Sequence, residues 1–374
     1  MKIQNVVLSL FCVVTFSLSA LQPGDLLVVT VPVVDLSSGE PLVSNEGVSG
    51  QTAECHRLYQ ALFNETLVFV SEHENSYMVA CKQAIYGTGK DGAPISFFAV
   101  DKCCVTPLFG LTQDMKATIP DSAIHAYSYL TLVYPTHNLS VGTRLIRIPK
   151  LDRLDSYAVC IADFAHKSTY VAYIPVKNAW LPKILTPQEQ RHAFVTLLNE
   201  LFDRVAESHK VIPYVWGGAS FIYAHDKDDY FIKDGLWHRK KLLHDAVYTG
   251  YDCSDLIARF AQIVGINFPW KNTTMIKKNC KALESGQMVQ EGDLIWIPGH
   301  IMIISNIEKS EIIQAHGYAS GYGSVDKNHI KKVFSNISDM NALVEHYFAH
   351  KKLFYLRADG TTIPYEDFVI LQLL

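Results

Sequence analysis

Cys253 is the residue in this chain best set up to do chemistry. It follows Asp252 and opens the run "CSDLIARFAQIVG", in which Leu256, Ile257, Phe260, Ala261, Ile263 and Val264 recur at helical spacing and Gly265 supplies a stop. Asp252 is therefore expected to cap a helix, with Cys253 in its first turn. Unpaired backbone N–H groups and the positive end of the helix dipole favour a thiolate there, and the thiolate is the nucleophilic form. The setting predicts a lowered thiol pKa and selective modification of Cys253 near pH 6. The bland alternative is a small apolar side chain at a helix start. Asp255, one residue further into the turn, suits the dipole but opposes the thiolate as a nearby like charge.

A thiol nucleophile needs a general base, and the base needs a group that fixes its tautomer. His300 lies in "GDLIWIPGHIMII", a lone polar residue where a Pro-Gly turn enters an apolar strand, and His316 ends the next strand-like run, "EIIQAHGY". Adjacent antiparallel strands would bring the two rings together. Each histidine alone is as easily incidental; the order Cys on a helix, His on a strand and His on the next strand is what makes a catalytic set.

These residues need a scaffold, and the hydrophobic periods outline one. "TPQEQRHAFVTLLNELFDRVAES" reads as a long helix: Thr186 as N-cap, Pro187 in the first turn, Glu189 closing a capping box, and Phe194, Leu197, Leu198, Leu201 and Val205 on one face. With the Cys253 helix and the strand-like runs "GDLIWIPG", "HIMIISNIE", "SEIIQAHG" and "KKLFYLRA" it makes an α+β domain over residues 184–374. Two all-β units are expected before it, at 21–118 and 119–183. The first contains "DLLVVTVPVVDL", "TLVFVSEH", "SYMVACKQAIY" and "ISFFAVDKC"; the second contains "YSYLTLVY", "VGTRLIRI", "SYAVCIADF" and "TYVAYIPV".

The 374 residues include 49% hydrophobic side chains, enough for several cores, and the net charge of −4 offers no basic face for nucleic acid. Lys2 and the apolar run "VVLSLFCVVTFSLSA" read as a signal peptide over residues 1–20, which predicts an exported protein of the periplasm or cell envelope. No further segment reads as a membrane span, and a monomer is expected. Removing Cys12 with that segment leaves seven of the eight cysteines. If Cys253 is a free thiol, the other six permit fifteen disulfide connectivities, or several are simply buried thiols. No zinc-ligand spacing is present, and thiol chemistry calls for no metal or other cofactor.

Four motifs, "YVWGG" (Tyr214–Gly218), "YDCSDL", "EGDLIWIPGHIMII" and "AHG", follow one another over roughly residues 200–320 and resemble the NlpC family of papain-like cysteine peptidases. The resemblance implies a papain-like NlpC-type catalytic domain preceded by two small SH3-like barrels. It implies Cys253 as nucleophile, His300 as general base and His316 as orienting residue. Tyr214, Trp216, Asp252 and Ser254 would form the oxyanion and substrate-binding groups, with Asp252 and Ser254 holding a substrate amine. The implied activity is cleavage of the γ-D-Glu–diaminopimelate bond in peptidoglycan stem peptides or muropeptides, releasing L-Ala-γ-D-Glu from free-amine peptides. An amidase or acyltransferase on the same fold, or a non-catalytic wall-binding protein, are the alternatives. The chain departs from the family at Asp255, where glycine is usual, and in the 33 residues from Ala219 to Tyr251, a link usually much shorter.

Overall fold

A computed structural model describes residues 20–38, 56–88, 94–120, 129–223, 225–226, 230–233, 236–239, 249–317 and 323–374. Nearly all of the expected signal peptide, together with Cys12 and Cys55, lies outside the described residues. No described helix is long and apolar enough to cross a membrane.

The two helices read from the sequence are present with the expected ends. Pro187–Glu207 starts in a reciprocal capping box: the Glu189 N–H donates to Thr186 Oγ1 at 3.3 Å and the Thr186 N–H to the Glu189 carboxylate at 2.8 Å. Its apolar face is buried, including Phe194, Leu198 and Leu201. Cys253–Val264 ends at Gly265, which takes the left-handed conformation at φ 81°.

Both helices pack against an eight-stranded antiparallel sheet. Its strand order is His225–Asp226, Lys210–Pro213, Ser324–His329, Glu311–Ala315, His300–Asn306, Leu294–Ile297, Val369–Gln372 and Lys281–Ala282. Ile301, Ile303, Ile313 and Ala315 point into the core shared with the helices. The alternate residues Met302, Ile304 and Ile312 enter a second core with Met340 and Leu343 of a helix over Met340–Phe348, which the sequence pattern did not indicate. Asp339 caps that helix through the Ala342 N–H at 2.9 Å. A sheet covered on both faces explains why its central strands read as unbroken apolar runs rather than as alternation.

The N-terminal part is all β. Seven strands pair in the order Arg57–Leu62, Val33–Ser37, Phe97–Asp101, Ser76–Ala80, Thr66–Glu72, Leu26–Val29 and Val105–Pro107. Five more pair in the order Ser168–Pro175, Ser156–Asp163, Arg144–Arg147, Tyr129–Leu132 and Ala179–Trp180. Each sheet has its own apolar core. Among the described residues neither sheet closes on itself, and the expected pair of small SH3-like barrels is not established by the strand pairing.

The Cys253 helix is buried on its polar side as well as its apolar one. Ser254, Asp255 and Arg259 are as buried as the apolar residues, at 4%, 0% and 1% exposure. The polar side of the helix meets the seven-stranded sheet. Arg259 donates to Glu65 at 2.6 Å and to the Gln60 carbonyl at 2.9 Å, and its Nε donates to the Ala219 carbonyl at 2.8 Å.

Candidate active site

Cys253 begins its helix with 9% exposure, in one core with Ile301, whose N–H is turned toward the sulfur and favours its charged form. That contact places the thiol one residue along the chain from His300. The imidazole of His300 is fixed from the neighbouring strand. Its Nε2 lies 2.9 Å from Gln314 Oε1, and because an amide oxygen only accepts, Nε2 carries the proton. The lone pair is then on Nδ1, the nitrogen left to act as a base.

Gln314 was missed in the sequence, where His316 was assigned the orienting role. The register Met302↔Gln314 extends to set His316 opposite His300, so all three side chains start on the same side of the sheet. The two histidine rings stack with centroids 6.2 Å apart, too far for a ring-to-ring hydrogen bond. His316 Nδ1 instead lies 2.7 Å from the Tyr355 hydroxyl, and its Nε2 is 3.9 Å from Asp326. The missed signal was a polar residue inside "EIIQA", two positions before His316 and hence on the same face.

Asp252 caps the helix. Its Oδ1 accepts from the N–H groups of Ser254 at 2.9 Å and Asp255 at 2.7 Å, and from the Ser254 hydroxyl at 2.8 Å. Its Oδ2 accepts from the Gly217 N–H at 3.1 Å. Gly217 has φ 63°, and a Cβ there would stand 2.6 Å from the Arg57 carbonyl oxygen, so glycine is required for the "WGG" turn to reach the cap. The carbonyl of the preceding Trp216 accepts from Arg57 at 3.3 Å. Tyr214 pairs with Tyr251 in a parallel bridge, and its ring and hydroxyl lie beside Gly317, next to His316. The structure thus gathers the motifs around the start of the helix.

The thiol is not pre-ionised as the sequence suggested. Burial is the largest effect and pushes the Cys253 thiol well above its ordinary value; the Asp252 and Asp255 carboxylates push it the same way. Burial thus overrides the helix terminus, with the Asp252 cap adding a carboxylate beside the thiol and taking the Ser254 and Asp255 N–H groups. Burial lowers His300 to about 4, against a smaller opposing effect of Gln314. It raises the Asp252 carboxyl to about 8, with Asp255 adding to the shift and the hydrogen bonds opposing it. Near neutral pH Cys253 and His300 are therefore a neutral thiol and a neutral imidazole.

Cys81, Cys103, Cys104, Cys160, Cys253 and Cys280 are free thiols, so the described cysteines form no disulfide framework. Among the described residues no group of three His, Cys, Asp or Glu side chains is arranged to hold a metal ion. Part of the long link after Ala219 is a strand pair, Tyr230–Lys233 with Leu236–Arg239.

The chain is similar in structure to an NlpC/P60 family protein from Bacillus cereus ATCC 10987, at 14% identity and a TM-score of 0.54, over 82% of this chain and 94% of that one. This likeness shows an NlpC/P60-type fold. Two further solved structures, NlpC1 and NlpC2 from Trichomonas vaginalis, align over 84% and 83% of this chain and 91% and 94% of their own. Their identities are 12% and 11%, and their TM-scores of 0.31 and 0.32 are too low to bear on the fold. No protein-family model matches the chain, and no curated protein matches it.

Proposed function

We propose that this chain is an exported cysteine endopeptidase that hydrolyses peptidoglycan stem peptides at the γ-D-Glu–diaminopimelate bond. The observation that carries the reading is the meeting of a first-turn thiol with the strand of a histidine whose Nε2 is held by an amide oxygen. An imidazole so fixed can take one proton and return it, which is what acyl transfer through a thiol needs. His300 Nδ1 takes the Cys253 proton as sulfur attacks the scissile carbonyl. The imidazolium then protonates the leaving amine, and a thioester remains on Cys253. Water, deprotonated by the same nitrogen, releases the acid. The Tyr214 hydroxyl and the Cys253 N–H serve the oxyanion. Because thiol and imidazole start neutral, proton transfer accompanies attack rather than preceding it.

Asp252 and Ser254 are assigned to the substrate amine, with Trp216 beside them. We read residues 21–118 and 119–183 as SH3-like units that narrow the cleft in front of a peptidase unit at 184–374, and residues 1–20 as the export signal to the periplasm or envelope.

The test is mass spectrometry of the protein with L-Ala-γ-D-Glu-diaminopimelate peptides, one set with a free N-terminal amine and one N-acylated. Cleavage of the free-amine set alone is expected. Cleavage of both would remove Asp252 as amine anchor, and cleavage of neither would sink the peptidase reading and favour another acyl substrate. For the positioning group, Gln314→Ala is expected to lower kcat by about 10²-fold through loss of ring alignment, with His316→Ala smaller. The reverse order in steady-state rates would restore the orienting role to His316.

A further inference from the structure

The first turn of the Cys253 helix carries a second buried carboxylate, and a single cation answers it. Asp255 and Lys271 are at 0% and 1% exposure, and Lys271 Nζ lies 2.9 Å from Asp255 Oδ1. Lys271 does not reach that place by its own loop alone. Its N–H donates to the Ile85 carbonyl at 3.0 Å, while the Ile85 N–H donates to the Pro269 carbonyl at 2.8 Å. The Asn272 amide donates to the Tyr86 carbonyl. The Lys271 ammonium sits 3.7 Å from the centroid of the Tyr59 ring, on a strand of the seven-stranded sheet. On the other side, the Lys271 carbonyl is 3.1 Å from the Ser254 hydroxyl, the residue next to the thiol.

The remaining charges in this layer are already matched. Arg259, one turn along the helix, is paired with Glu65. Asp252 is held by the helix N–H groups and by Gly217. From the facing strands come His300 and His316, both kept neutral by burial. Cys81 is a buried thiol pushed up to about 12, and the Tyr59 hydroxyl is likewise held well above its ordinary value. Burial disfavours the charged forms of both Asp255 and Lys271, and each favours the charge on the other. Removing the ammonium leaves Asp255 only the Arg259 guanidinium, already paired with Glu65, as an opposing charge, and the carboxylate still disfavours a thiolate at Cys253.

We propose that Lys271 is a positioning residue for the nucleophile: its ammonium, set in place by the seven-stranded sheet, neutralises Asp255, so that negative charge developing on the Cys253 sulfur does not meet an unbalanced carboxylate in the same helical turn. This rests on the reading of Cys253 as the nucleophile. It also gives the usual glycine position a reason to tolerate Asp255 here: the carboxylate comes with its own counter-ion.

The experiment reads the sulfur directly, without substrate. The full chain is alkylated with iodoacetamide between pH 6 and 9, and the rate at Cys253 is followed by peptide-resolved mass spectrometry, with exposed Cys103 as internal reference. Lys271→Met and Lys271→Gln are each expected to slow Cys253 at a given pH by about tenfold, the equivalent of one unit in the thiol midpoint, and to leave Cys103 unchanged. Lys271→Gln retains a donor for Asp255 and serves where the Met variant fails to fold. The double variant Asp255→Asn/Lys271→Gln is expected to return to the wild-type rate. Folded single variants that alkylate at the wild-type rate would overturn the proposal and leave the pair a purely structural one. So would a double variant as slow as the single. Failure of the wild-type protein to hydrolyse wall peptides would count against the peptidase reading alone, since the alkylation comparison does not depend on the substrate.

Discussion

Cys253→Ala is expected to remove hydrolysis of the free-amine peptides, by at least about 10³-fold in kcat, without loss of the fold. The alanine fills the same first-turn site, and the Asp252 cap does not involve the sulfur. His300→Ala should approach the same residual rate, because thiol and base act as one unit and their losses do not add. The wild-type pH profile is expected to follow the histidine. An ordinary imidazole is half protonated near 6.5 and would lose its function as a base below that. His300, lowered to about 4 by burial, stays neutral and competent through the interval between. The acid limb of kcat/KM is therefore expected near pH 4, measured with the same peptides. A limb near pH 6.5 would mean that the base is solvated or is another residue, and full activity in Cys253→Ala would end the assignment of the nucleophile.

Arg259→Met is expected to destabilise the protein by about 3–5 kcal/mol, read as a lowered midpoint in urea denaturation. The guanidinium is almost wholly buried, and it serves Glu65, the carbonyls of Ala219 and Gln60, and the Gln262 side chain at 3.0 Å. Methionine fills much of the space but leaves Glu65, at 5% exposure, as a buried charge without its partner. The loss is mostly that uncompensated carboxylate, so Arg259→Met/Glu65→Leu should recover a large part of it. A single-variant loss below about 1 kcal/mol would show that the pair behaves as an exposed ion pair does.

The helices were legible because their ends are written in local chemistry: Thr186 with Glu189, and Asp252 with Gly265. The strand order of the site was legible because apolar runs between turn residues leave few ways to arrange Cys253, His300 and His316. Gln314 was not, because an uncharged amide carries no titration signal that marks it as a partner for an imidazole, although period-two arithmetic puts it on one face with His316. The direction of the thiol shift could not be read from position in a helix; it depends on what buries the turn and on which groups have already taken its N–H donors. Lys271 escaped notice for the same reason. Its partner is set by packing against Ile85 and Tyr59, far away in the chain. Sheet closure depends on long-range pairing that strand texture does not encode.

The contacts of Arg259 with Glu65 and Gln60 close loops of 194 and 199 residues. Loops of that length are slow to close, since the chain must give up its wandering before any contact rewards it. A chain made from its N-terminus has the older half of each contact waiting when the younger half emerges. The Cys253 helix then docks onto a surface whose strands come from far earlier in the chain. The surroundings of the thiol are thus held together across nearly two hundred residues, and a change among the first strands reaches them directly.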